Sequence, residues 1–152
     1  MIGPHEGKEL ALMLAGKKYL AAFGDVLPDD GVIAEAIIPQ QAFAPYVANG
    51  TFRRFEQSIF SIRLNKTLRH VCFTSPGHEW RAETFLWIRR MSHAGQMPVD
   101  KAADIIIGRL LGYDEADIQD FIQHSSKRIS STQTANSENN QISIFPQAAA
   151  QV

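Results

Sequence analysis

The stretch Asn65–Met91, NKTLRHVCFTSPGHEWRAETFLWIRRM, decides how the rest of the chain is read. β-Branched and aromatic residues alternate on both sides of Ser75-Pro76-Gly77-His78, a Pro-Gly turn signal, and this pattern predicts an antiparallel hairpin. An even-numbered loop pairs Phe73 with Trp80, Val71 with Ala82 and Arg69 with Thr84. Successive side chains of a strand point to opposite faces, so one face carries Val71, Phe73, Trp80, Ala82, Leu86 and Ile88. The other carries His70, Cys72, Thr74, Glu79, Arg81, Glu83, Phe85, Trp87 and Arg89. The first face is core and the second is mixed. A loop one residue different would bring core residues opposite polar ones, which a sheet with one buried face does not tolerate.

Working upstream, Thr51–Leu64 reads as a preceding strand that turns back at Asn65-Lys66. Pairing Leu64 with Thr67 sets Phe60 opposite Val71 and Ser58 opposite Phe73, so that Phe52, Phe60 and Ile62 join the apolar face. Arg53, Phe55, Gln57, Ile59, Ser61 and Arg63 join the mixed face, and the two turns agree on one meander. Further upstream, His5–Ala15 predicts a short helix closed by Gly16, and the segment after it, KKYLAAF, a strand. Gly24–Gly31 is turn-rich, Val32–Ile38 has strand length, and Gln40–Ala48 predicts a helix of about two turns, limited by Pro45 and ended at Asn49-Gly50.

Downstream, Pro98–Leu111 and Glu115–His124 predict a helical hairpin with apolar stripes at Ile106, Ile107, Leu110, Ile118, Phe121 and Ile122. From Ser125 to Val152 the composition turns to Ser, Thr, Asn, Gln and Ala, too poor in apolar groups to offset the entropy of ordering, and this predicts a disordered tail. Within it Gln141–Phe145 (QISIF) is β-prone and could add to a sheet edge. The expected fold is α+β: an antiparallel β-meander packed on one face by the C-terminal helical hairpin, with a small N-terminal α/β portion. It forms a single domain over 1–124 with the tail at 125–152.

A chain of 152 residues, 45% hydrophobic, suits one domain. The lone Cys72 excludes an internal disulfide framework and a multi-cysteine zinc site and fits a reducing compartment. No apolar run approaches the roughly 20 residues that span a bilayer, and no signal-peptide layout opens the chain. A cytoplasmic protein without membrane attachment is expected. The net charge of −1 conceals segregation: Thr51–Arg90 has eight Lys/Arg against three Asp/Glu, Met1–Gly50 three against six, and Met91–Val152 four against seven. A local positive field on a near-neutral molecule results.

The mixed face therefore attracts the functional reading. Arg53, Arg63, Arg81 and Arg89 lie there among Phe55, Phe85 and Trp87, a mixture found both at protein interfaces and in single-stranded nucleic-acid binders. The pI near 6.5 and the acidic flanks favour an acidic protein partner over nucleic acid, and a binding or regulatory role over catalysis. The N-terminal helix covering Phe55, Phe85 and Trp87 is the competing structural reading. A catalytic reading would use Cys72 as nucleophile, His70 as base, Glu83 to orient it and Arg81 to lower the thiol pKa. Cross-strand ion pairing and ordinary packing account for the same residues better than catalysis does. His70, His78, Glu79 and His93 lack metal-site spacing, Gly16-Lys17 lacks the upstream glycine of a phosphate loop, and neither a metal nor a cofactor is expected.

Overall fold

The computed structural model describes residues 4–98 and 100–132, with side chains described up to residue 124. In chain order the elements are α1 (Glu9–Leu14), β1 (Leu20–Val26), α2 (Gln40–Ala48), β2 (Arg53–Ser61), β3 (Lys66–Thr74), α3 (Glu79–His93), α4 (Lys101–Leu110) and α5 (Glu115–Thr132). The fold is α+β, built on a three-stranded antiparallel sheet of order β1-β3-β2.

The expected second strand of the hairpin is helix α3, which replaces the three-strand meander. In residues 79–93 only Thr84 and Ile88 are β-branched, whereas Glu, Ala, Arg, Leu and Met favour helix. Ala82, Phe85, Leu86, Ile88, Arg89, Ser92 and His93 are buried at helical intervals. Glu79 lies in the first turn and Arg90 in the last, each sign matching its end of the helix dipole. Ser75–His78 accordingly joins a strand to a helix, with Gly77 at φ +87°. Phe73 and Val71 therefore do not face Trp80 and Ala82 across a ladder.

The β2–β3 hairpin forms, but Phe60 pairs with Thr67 and Ser61 with Lys66, a slip of four residues from the expected register. Asn65 adopts φ +50°, a left-handed conformation that asparagine tolerates, and this allows the longer loop. An even slip leaves every side chain on its expected face. β1 begins at Leu20, later than expected, and occupies the other edge of β3, with Leu20 opposite Thr74 and Val26 opposite Leu68. Val32–Ile38 is irregular, not a strand. Glu35 instead folds back so that its Oε1 accepts hydrogen bonds from the Gln41 and Ala42 backbone N–H groups at 2.8 and 3.1 Å, satisfying the start of α2.

Both faces of the sheet are covered. Val71 and Phe73 pack with Ala21, Phe23, Ile38, Phe43, Phe52 and Met13, so the apolar face is closed by α1, α2 and the 32–39 loop. Phe43 stacks on Phe73 at 4.1 Å. On the opposite face Leu20 and Cys72 pack under Ala82, Phe85 and Leu86 of α3, and the same cluster extends to Ile107, Leu110, Ile118, Phe121 and Ile122 of the helical pair. The C-terminal hairpin thus lies behind α3 on the formerly mixed face, and not on the apolar face as expected. α4 is capped by Asp100, whose carboxylate accepts from the Ala103 N–H at 3.0 Å. α5 continues through Thr132, past the expected end at residue 124. Residues 133–152, with the QISIF island, lie outside the described residues.

The helical assignment of 79–93 separates neighbouring aromatics. Phe85→Ala is expected to cost about 3–5 kcal/mol in denaturant unfolding because it empties core. Trp87→Ala should stay within about 1 kcal/mol. Equal losses would point back to a strand with both residues on one face.

Candidate functional site

The residues expected to share one sheet face divide into a buried group and an exposed group. Phe55 is half-buried against the α3 core, Phe85 is fully buried, and Arg89 is 4% exposed. Arg53 is exposed on β2 and reaches Glu79 of α3 at 3.8 Å. Arg63, beside the β2–β3 turn, is half-buried, and its charge acts on His93. Trp87 is 47% exposed on the outside of α3. The sheet face between them is not an open surface, because α3 lies on it.

The covered side forms a polar layer in the core. His70 on β3 and His93 on α3 place their rings 5.9 Å apart, and the Arg89 guanidinium lies over the Phe85 ring at 5.1 Å. Burial lowers Arg89 to about 10, while the Asp104 carboxylate of α4, itself buried, opposes that shift. Burial pushes His93 down to about 4, helped by the cations of Arg89 and Arg63. A neutral imidazole inside a field of arginines is the stable form there.

The Cys72 constellation does not assemble. Cys72 is fully buried, and burial drives its thiol well above the ordinary range, with Arg89 only partly offsetting. Glu83, expected opposite His70, points to solvent from α3. Arg81 is occupied elsewhere, its Nη1 donating to the Arg109 and Leu110 carbonyls at 3.2 and 3.1 Å, at the negative end of α4. Among the described residues no group of three or more His, Cys, Asp or Glu is placed to hold a metal ion. None of the helices described is long and apolar enough to cross a membrane.

A second buried charge was not legible in the sequence. Lys18, 1% exposed, donates to the Leu111 carbonyl and lies 3.1 Å from His5 Nδ1 and 5.2 Å from the centre of the Tyr113 ring. Burial lowers Lys18 to about 8 against the opposing pull of Glu9, and burial followed by the Lys18 charge lowers His5 to about 4. This cluster ties the N-terminal segment to the end of α4. Only the tertiary fold brings position 18 to position 111, so local sequence carries no signal of it.

What remains open is the outer face of α3. Trp80 and Trp87 are seven residues apart, two helical turns and about 10 Å along the axis, so both project from the same side. Their exposures are 52% and 47%. Sequence reasoning placed Trp80 in the core; the period of 3.6 puts it outside. Trp80 is held in place: the Arg81 guanidinium lies 4.8 Å from its ring and 5.6 Å from that of Tyr19, which stacks on His78 at 4.0 Å. Because Arg81 is anchored on α4, the aromatic cluster of Tyr19, His78 and Trp80 is pre-organised at the start of α3.

The arginines elsewhere on the surface are largely paired. Arg54 meets Glu56 at 2.7 Å and Gln40 at 2.6 Å, Arg69 meets Glu56 at 3.1 Å, and Arg109 meets Glu115 at 2.7 Å. Such pairing tempers the positive field that the charge count of residues 51–90 predicts.

Two outcomes follow from the buried groups. Cys72 should react with a thiol reagent near neutral pH no faster than the chain unfolds; rapid stoichiometric labelling of the native protein would contradict its burial. His5 and His93 have folded pKa values near 4 against 6.5 unfolded, so the unfolded chain binds more protons between these values. Their contribution is complete above pH 6.5 and is lost as the pH falls towards 4. The His93→Gln variant should lose about 2 kcal/mol less than wild type over that interval in urea melts; an identical pH slope would refute the assignment. Comparison with protein families, curated proteins and solved structures finds no match to this chain.

Proposed function

We propose that this chain is a small binding or regulatory protein whose partner, another protein, docks on the outer face of α3. The observation that carries the reading is the pair of half-exposed tryptophans on one helix face. Large aromatics are the side chains most enriched at the energetic centres of protein interfaces. Trp80 is held by packing against Arg81 and, through it, Tyr19 and α4, and a surface ordered before binding loses less entropy on association.

The arrangement also favours a protein over single-stranded nucleic acid. Aromatic platforms serve both, but nucleic-acid affinity comes largely from cations free to neutralise phosphates. Here Arg53, Arg54, Arg69 and Arg109 have carboxylate partners within the chain, and Arg81 is committed to backbone carbonyls. An acidic partner gains correspondingly less from these residues than the charge count alone implies.

The test compares wild type with Trp80→Ala/Trp87→Ala, both shown folded by circular dichroism, as immobilised bait in extract of the native host, read by quantitative mass spectrometry. Each truncation at an interface centre costs about 2 kcal/mol, or roughly 30-fold in affinity, so proteins enriched by wild type should be lost from the double variant. Retention of the same proteins by the variant would overturn the reading. Salt-sensitive binding of single-stranded oligonucleotides, abolished by the same substitutions, would favour the nucleic-acid alternative instead.

A further inference from the structure

We propose that the outer face of α3 pairs with α3 of a second copy of this chain, antiparallel across a two-fold axis. The inference rests on the reading that this face is a docking surface and names its occupant. Trp80, Thr84, Trp87 and Met91 follow one another at intervals of four, three and four residues. This is the spacing of a helix-pairing seam, in which residues of one helix insert between those of its partner. Thr84 adds no outward polar demand, because its hydroxyl donates to the Trp80 carbonyl at 2.7 Å within the helix. Met91 is half-buried and gives the seam an adaptable thioether, which packs well against an aromatic edge.

Charge selects the second copy and its direction. Glu83 and Arg90 are both exposed, lie seven residues apart on the same edge of the seam, and have no ion-pair partner among the described residues. In an antiparallel pair that sets Thr84 against the partner's Trp87 and Trp80 against the partner's Met91, Glu83 of each copy approaches the partner's Arg90. The two-fold axis makes that ion pair twice. A parallel pair brings residues of equal height together and leaves Glu83 about 10 Å along the axis from Arg90. A face carrying one acid and one base at this spacing is complementary to itself when inverted.

An interface centred on one helix of 15 residues is small, so self-association is expected at roughly micromolar concentrations, weakening as salt rises. Sedimentation velocity of the full chain over a concentration series tests it, using wild type, Glu83→Arg, Arg90→Glu and the double swap Glu83→Arg/Arg90→Glu. Each single swap should raise the dimer dissociation constant about tenfold by placing like charges together twice, and the double swap should restore it. A dissociation constant unmoved by the single swaps, or not restored by the double swap, overturns the antiparallel pairing. Monomeric wild type at every concentration overturns self-association outright. In that case the docking-surface reading survives if Trp80→Ala/Trp87→Ala still loses proteins captured by wild type, and fails with it if capture is unchanged.

Discussion

The burial of β3 on both faces is the constraint from which the rest of the structure follows. β3 is bonded to β1 along one edge and to β2 along the other, and from His70 to Thr74 every residue is buried. A strand in that position needs two covers, and the chain supplies them from opposite directions. The N-terminal half closes over Val71 and Phe73 with Phe43 of α2 at the centre, while α3 turns back immediately after β3 to cover His70 and Cys72. The short link at Ser75–His78 is sufficient because the helix packs on the strand it follows.

The two covers differ in character. The α2 side is a cluster of aromatic rings in which Phe43 touches Phe23, Phe52 and Phe73. The α3 side includes His70, Arg89, His93 and Asp104 as well as apolar residues. Buried charges of this kind contribute little net stability unless paired, but they disfavour packings that would separate Arg89 from Asp104. Such a layer can specify how α3 sits between the sheet and α4. The Lys18 cluster works similarly at the end of α4, where the Leu111 carbonyl accepts from the lysine.

With both sheet faces closed, the exposed tryptophan side chains lie on the helix that covers the sheet. α3 has one side committed to the core and one side free, and the free side carries Trp80 and Trp87. Arg81 stands at the boundary, bonded inward to α4 and stacked outward on Trp80 and Tyr19. The same helix therefore holds the fold together and presents the exposed aromatic face on which docking is proposed.

By itself the sequence determined the α+β class, helix α2 at Gln40–Ala48, the helical pair α4–α5, and the face to which each residue of β2 and β3 belongs. These depend on local signals: hydrophobic period, caps, turn residues and strand parity, which survives an even slip in register. It also singled out Trp87 and Arg81, though on the wrong kind of element. Composition and end charge favour a helix over 79–93, but alternation and a period of 3.6 both find residues to match there, and the tertiary structure shows which is realised. Which of them is realised depends on what β3 needs to bury. The same holds for Phe85 and Arg89, drawn inward by α4, and for Lys18, whose carbonyl partner is 93 residues away. Contacts between distant segments leave no local periodicity, so only the folded chain could place them.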